Sequence, residues 1–478
     1  MYKIFYSVPL LRQTWVTFSV LMFMVGQGMV IGYTTMLATL QNSISGILLE
    51  NYGAFQLETW LERSCFIGLV ISSILMDWCG RKTTYLLMIL TGVTGWLLID
   101  FAQTLSMLLV GCLLSGTTFG NLLLTSLIIS EYASPKYRGI FLCLRTVSVS
   151  VGITISHILG NDFDCRLLST LVLIFYIVSF GMACNWPESP VWLASRKQFV
   201  KCEESFIWLK GTEEPSMAEF QELIKAHKEQ YMYKCLRTRT KIVEFMQKFT
   251  KSDFLKPITI MIFAFLLLEA SGKHYFPAYT LQFIGEITPR SFYNTLYIDL
   301  VLLTSSTISC ISIRLFKRRS VLLSTGIAAV IVLILTSSHI FLISNNILPN
   351  RPSISILLLF LYLALANLGC TTLPLIFIGE ILPTLHRAVG SAVSGVIISI
   401  LYWVALKAIP YLLECTKVYG TFAIFGLLIT VSVLILYFIL PETKDRTLEE
   451  IDYYINNGCF RNEESIDDLN ILNVNDNE

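Results

Sequence analysis

The stretch Glu131–Arg138, EYASPKYR, sets a carboxylate and a guanidinium seven positions apart with a proline between them, wedged between two long apolar runs. The same arrangement returns at Glu380–Arg387, EILPTLHR, again with a proline between the two charges. Two further markers repeat in the same order: PESP at 187–190 is matched by PETK at 441–444, and DWCGRK at 77–82 is matched in place by the basic run RLFKRRS at 314–320. One such match can arise by chance. Three in register mean an internal duplication.

The material between the markers is apolar. Of 478 residues, 54% are hydrophobic and 14% charged, where a soluble domain carries about a quarter charged residues. The apolar residues gather into runs of roughly 20, the length a helix needs to cross ~30 Å of hydrocarbon. Twelve such runs stand out: 15–37, 58–76, 84–104, 107–129, 140–160, 167–186, 257–283, 295–313, 321–343, 354–378, 389–412 and 418–440. The alternating ten-residue strands of a membrane barrel are absent from this pattern. The first run is too long for a signal-peptide core and lacks a cleavage site, so it reads as a retained helix. The fold class predicted is all-α integral membrane, with twelve transmembrane helices in two six-helix pseudo-repeats.

Lys and Arg set the orientation, because they favour cytoplasmic loops. One side collects Lys3, Arg12, Arg81, Lys82, Lys136, Arg138, Arg314, Lys317, Arg318, Arg319, Arg387, Lys444 and Arg446, together with the basic segment 187–256; the other holds Arg166, Arg290, Arg351 and Lys417. The expected organisation is therefore a cytoplasmic N-terminus (1–14), a six-helix half (15–186), a cytoplasmic linker (187–256), a second six-helix half (257–440) and a cytoplasmic tail (441–478), in the plasma membrane. Met217, Phe220, Leu223 and Ile224 form an apolar stripe in the linker, which predicts short amphipathic helices there. After about residue 456 the chain turns polar and acidic and is expected to be disordered.

Other function classes find little support. No basic run is interleaved with aromatics, so nucleic acid is not a partner. The 12 cysteines are scattered, six of them inside the apolar runs, without metal-ligand spacing and read as packing residues. The linker is too short for a catalytic domain, and no metal, cofactor or catalytic group is expected. The partners expected are a small-molecule solute and the lipid bilayer.

Two parallel halves with a site between them are the plan of a transporter. The repeated charges fit it: at helix ends, carboxylates of one helix can pair with guanidinium groups of its neighbour and latch the halves on the inner side.

Four motifs carry a family resemblance. DWCGRK (77–82), PESPVWL (187–193), GEILPTLHRAVGSA (379–392) and PETKDRTLEEID (441–452) resemble the signatures of the sugar porter family of the major facilitator superfamily, over residues 15 to 452. GEILP and the short tails are most similar to its insect facilitated trehalose transporter branch. The resemblance implies facilitative transport of trehalose or a glucose-like sugar by alternating access. It assigns a gating network to Asp77, Gly80, Arg81, Glu131, Arg138, Glu188, Glu380, Arg387 and Glu442. Proton-coupled members usually carry an Asp in the first helix; 15–37 has no carboxylate, which implies uniport.

The departures are informative. Cys112 stands where the family has Arg after Gly111, and Val191 replaces the Arg of PESPR. Arg314 and Lys317 replace the acid and glycine of the second loop signature, so a weaker network is expected in the second half. In the substrate region implied by the resemblance, Thr146, Glu269, Ser271, Gly272, His274, Tyr279 and Leu375 are the candidates. Leu268 and Glu269 occupy the family's glutamines, His274 its asparagine, Thr146 the fifth-helix glutamine, Leu375 the stacking tryptophan, and Ile398 lies near the eleventh-helix asparagine. A thinned amide cage leaves two alternatives open: a non-transporting sugar sensor, or a transporter of a different solute, with Glu269 pointing to a cationic one. Glu269 and Lys273, four apart on one face, either lie in solvent at the outer mouth or turn a carboxylate to the cavity. Arg145 is read as snorkelling to the cytoplasm, and His157 and His339 as packed polar residues.

Overall fold

The computed structural model describes residues 9–40, 54–162, 165–235, 252–272, 292–349, 352–382 and 387–459. Among these the regular structure is helical. The first half contains α1 (Pro9–Leu40), α2 (Ala54–Trp78), α3 (Arg81–Asp100), α4 (Leu105–Thr117), α5 (Asn121–Tyr132), α6 (Pro135–Asp162) and α7 (Cys165–Ala183). Three short helices follow, α8 (Pro190–Ser195), α9 (Phe199–Lys210) and α10 (Glu214–Cys235). The second half contains α11 (Ser252–Ala270), α12 (Phe292–Leu315), α13 (Arg318–Ser344), α14 (Pro352–Leu365), α15 (Thr372–Glu380) and α16 (Arg387–Ile439), and α17 (Leu448–Asn457) closes the described chain.

Twelve spans are built from these helices. Eight segments are long and apolar enough to cross a bilayer on their own. One of them, α16, is two spans that reverse at Lys417, where φ is 58° and ψ −178°. The helices α2, α7 and α11 complete the set.

The helix surfaces are the inverse of a soluble protein's. On α13, Ile327, Ile331, Ile334 and Leu335 are more than half exposed, a contiguous apolar face that fits lipid. The opposite face buries Thr325, Gly326, Ala329, Thr336 and Ser337. Helices in a bilayer gain nothing by hiding Leu from lipid, so they pack through small residues and polar bonds. The crossing of α1 and α6 is the clearest case. Gly28 lies against the Val149 carbonyl, Gly152 against the Val25 carbonyl, and the two glycines against each other, so any Cβ there would collide with backbone.

The fourth and tenth spans are both interrupted, at matching places. A 3₁₀ turn, Thr118–Gly120, separates α4 from α5, and a π-turn, Ala366–Cys370, separates α14 from α15. Carbonyls freed by such breaks need partners in a medium without water. Ser72 Oγ donates to the Gly120 carbonyl at 3.0 Å, Ser309 Oγ to that of Leu368 at 2.6 Å, and Thr372 Oγ1 to that of Asn367 at 2.7 Å. The halves meet where α2 packs on α16 and α6 packs on α12.

The linker helices bury Val191, Leu193, Ala194, Cys202, Phe206 and Leu223 in a small core of their own, with Phe220 and Ile224 against it. Met217, the first residue of the apolar stripe, is not part of that cluster.

The α1–α6 crossing yields a test. Gly152→Leu should overpack that crossing, at ~1–3 kcal/mol or more, and abolish monodisperse protein after detergent extraction. Gly181, with open space at its Cβ position, should accept Ala with unchanged or higher unfolding temperature.

Candidate functional site

Two polar assemblies stand out: a charged network at the basic end of the bundle, and a cavity between the halves.

In the first half the network centres on Arg81, at the start of α3. Its Nε lies 3.1 Å from Glu131 Oε2 and its Nη2 3.1 Å from Glu131 Oε1, with both side chains buried. Glu188 caps the same helix: its Oε1 accepts from the backbone N–H groups of Arg81 at 2.7 Å and Lys82 at 3.1 Å. Burial pushes the Glu188 carboxyl above its ordinary range, while the N–H donors of Ser189, Lys82 and Arg81 pull it back. Gly80 holds φ at 95°, and a Cβ there would strike the Glu188 carboxylate, so the glycine admits the cap.

The second half repeats this arrangement. Arg318, first residue of α13, donates to Glu380, and Glu442 accepts from the backbone N–H groups of Arg318 at 3.0 Å and Arg319 at 3.2 Å. Lys317 takes the place of the glycine with φ −66° and ψ 134°, an extended conformation open to any residue. The loss of the acid and glycine at Arg314 and Lys317 leaves the second half's pair and cap both present. The active cation is Arg318, which the loop signature alone did not single out from four nearby basic residues.

The two buried carboxylate–guanidinium pairs among the described residues, Arg81–Glu131 and Arg318–Glu380, each lie within one half. They fix broken spans to neighbouring helix starts. The halves touch beside them through other groups. Arg138 Nη1 donates to the Arg446 carbonyl at 3.2 Å, Gly139 makes room for the Arg318 guanidinium, and Ser126 Oγ reaches the Leu375 carbonyl at 3.2 Å. Asp77 turns to the linker, with Arg196 3.9 Å from its carboxylate and Trp192 Nε1 2.8 Å from its carbonyl. The backbone of Arg387 is helical, but its side chain lies outside the described residues.

Between the halves lie two small compartments, each lined in part by Ile153. One, of about 20 Å³, is lined by Ser150, Ser271, Gly272, Asp299, Asn367 and Thr371. The other, of about 50 Å³, is lined by Gln27, Arg145, Thr146 and Leu375 among apolar groups. The π-turn presents Asn367, whose Nδ2 donates to the Leu302 carbonyl at 2.7 Å and to Ser305 Oγ at 2.9 Å; Thr371 Oγ1 donates to its Oδ1 at 2.6 Å. Toward the other end of the bundle, His157 Nδ1 and Asp299 Oδ2 meet at 2.6 Å, joining α6 to α12 across the halves.

Thr146, Ser271, Gly272 and Leu375 thus fall on the cavity as expected. Glu269 does not line either compartment; it is 3% exposed, which corrects its placement in solvent, and Ser271 and Gly272 beyond it reach the cavity. Leu268 is fully buried in the core. Ile398 lines an apolar crevice between α2 and α16 rather than the cavity. Lys273, His274 and Tyr279 lie outside the described residues. Arg145 is corrected: it is 1% exposed and bonded to Ser126, so it faces the cavity and does not snorkel. His157 is a bridge between the halves, while His339 bonds Ser355 at 3.1 Å. Gln27, Asn367 and Asp299 were missed. A polar residue inside an apolar run was their only signal, and many Ser and Thr residues share it.

The sugar (and other) transporter family matches residues 61–454. The chain belongs to that family. The facilitated trehalose transporter Tret1 of Apis mellifera ligustica is 26% identical over 392 residues, 81% of this chain and 77% of that protein. Tret1 of Culex quinquefasciatus is 26% identical over 401 residues, covering 81% and 74% respectively. A structure of the proton:xylose symporter XylE bound to 6-bromo-6-deoxy-D-glucose superposes with a TM-score of 0.74 at 16% identity, over 92% of this chain and 99% of that one. The chain has the major facilitator fold and is a multi-pass membrane protein.

Breaking a buried pair by removing one partner costs about 3–5 kcal/mol, because a charge is left uncompensated. Arg318→Ala should therefore lower the unfolding temperature of the detergent-extracted protein markedly, and a second change, Glu380→Gln, should recover part of the loss. Equal stability of the single variant and the parent would remove the pair from the framework.

Proposed function

We propose that this protein is a facilitative sugar transporter of the plasma membrane, with the basic end and both termini in the cytoplasm, working by alternating access without covalent chemistry. The observation that carries the reading is the cavity itself: polar groups of both halves, Ser150 from one and Ser271, Asp299, Asn367 and Thr371 from the other, converge on it. Its compartments, about 20 and 50 Å³, are far below the ~300–1,000 Å³ of a ligand pocket. A sugar enters only if the halves part. Contacts at each end of the bundle, Arg138 with the Arg446 carbonyl and His157 with Asp299, are placed to open in alternation.

Hydroxyl and amide groups suit a sugar, since each polar group buried without a partner costs ~1–3 kcal/mol. They are few here, which supports weak binding in the millimolar range, about −4 kcal/mol. The first span carries no carboxylate, which supports uniport over proton coupling. The sugar implied by the relatives is trehalose or a glucose-like monosaccharide.

Oocytes expressing the protein should take up a labelled member of a panel of hexoses, sugar derivatives and trehalose saturably, with half-saturation in the millimolar range and no effect of a protonophore. Arg138→Ala should lower that flux while surface expression persists. Binding of sugar without flux would instead favour a sensor. A tag near residue 215 should be stained only after permeabilisation, and one near residue 45 in intact cells; the reverse pattern would overturn the orientation.

A further inference from the structure

Arg145 places a positive charge in the central cavity; of the described buried carboxylates, Glu269 lines neither compartment and three others are paired elsewhere. Glu131 is bonded to Arg81, Glu380 to Arg318 and Asp299 to His157. The Arg145 guanidinium donates to the neutral hydroxyl of Ser126. Its Nε finds no acceptor among the described residues, and neither does the Oγ1 of Thr146 beside it. Both side chains line the larger compartment and are 1% and 2% exposed. A buried cation without a counter-charge is costly in a bilayer, and an ionisable group so placed points to a ligand.

The rest of the cavity restricts the ligand further. The walls beside Arg145 are apolar, with Met24, Leu122 and Leu375 among them. Past Ile153 the second compartment supplies hydroxyls and an amide, the Ser271 hydroxyl among them. Arg145 and Ser150 are five residues apart on α6, a rise of about 7.5 Å, the scale of one sugar ring with an exocyclic group.

We propose, building on the transport reading above, that the solute is a sugar acid: a polyhydroxylated molecule bearing one carboxylate. The carboxylate accepts from Arg145, whose planar fork offers two parallel N–H donors, and from Thr146. The hydroxyls fill the compartment of Ser150, Ser271 and Asn367. A neutral sugar leaves the guanidinium uncompensated. A phosphate ester, at about −1.5 to −2 charges, brings more negative charge than one guanidinium neutralises. A simple fatty or aromatic carboxylate brings no hydroxyls to the polar lining of the second compartment.

The test measures uptake of labelled glucuronate, glucose, trehalose and glucose 6-phosphate in oocytes, together with thermal unfolding of the purified protein in detergent with each compound. Glucuronate should be taken up saturably with an apparent affinity at least tenfold tighter than glucose, and should raise the unfolding temperature where equal glucose does not. Arg145→Gln should lower the glucuronate-to-glucose uptake ratio at least tenfold, and Arg145→Lys should retain part of it. Should Arg145→Gln not reach the membrane, Thr146→Val should still weaken glucuronate three- to tenfold. Transport of glucose or trehalose with glucuronate ignored overturns this inference and leaves the transport reading intact. Preference for glucose 6-phosphate, or a ratio unchanged by Arg145→Gln, overturns it as well. If no compound moves, the transport reading falls; the anion site then survives only if glucuronate still stabilises the protein and Arg145→Gln abolishes that effect.

Discussion

A guanidinium cannot leave water alone, and the pairs Arg81–Glu131 and Arg318–Glu380 are where this chain answers that constraint. Each arginine opens a helix, reaches a carboxylate at the end of an interrupted span, and has the N-terminus of its own helix capped by a second carboxylate, Glu188 or Glu442. Both pairs are buried. Their worth lies less in net stability than in the penalty for separating them. That penalty makes each half move as one body, since a shift of the fourth or tenth span against its neighbours would strand a charge. A rocking mechanism needs such rigid halves, with the compliance placed between them.

The contacts between the halves are of a different kind. Arg138 meets a backbone carbonyl, Gly139 makes room for a neighbouring guanidinium, and Ser126 reaches the carbonyl of Leu375. A hydrogen bond between neutral groups is worth about 0.5–1.5 kcal/mol net, and one from a guanidinium such as that of Arg138 about 1.5–3 kcal/mol. Contacts of that size can break and re-form as the halves part, where a buried ion pair would resist. At the basic end, strong bonds inside the halves and weaker ones across them form a physical basis for alternating access, while His157 and Asp299 bridge the halves toward the other end.

The interrupted spans link this frame to the cavity. The 3₁₀ turn at Thr118–Gly120 and the π-turn at Ala366–Cys370 lie about three turns from Glu131 and Glu380 respectively. The π-turn sets Asn367 and Thr371 at the cavity wall, in keeping with the tendency of π-bulges to mark functional sites. Across from them Arg145 stands among apolar residues, at the place where the family's amide is replaced by Thr146.

The sequence by itself determined the twelve spans, the duplication, and the charges that mark equivalent places in the two halves. Apolar runs long enough to cross hydrocarbon have few other fates, and EYASPKYR and EILPTLHR are legible because their spacing repeats. What hydropathy does not encode is how each span is rotated. In lipid an apolar side chain is as comfortable facing acyl chains as facing another helix, so the pattern says which segments leave water and little about which face turns inward. That choice belongs to close glycine crossings such as Gly28 with Gly152 and to polar partners far apart in the chain, of which His157 and Asp299, 142 positions apart, are the plainest. The same limit explains Arg145. From sequence a long cation near a helix end is free to snorkel, and only the packing of α6 against the fourth and tenth spans, with Ser126 in reach, turned it to the cavity. It also explains Arg318: four basic residues stand together at 314–319, and the geometry of one helix start decided which of them met Glu380.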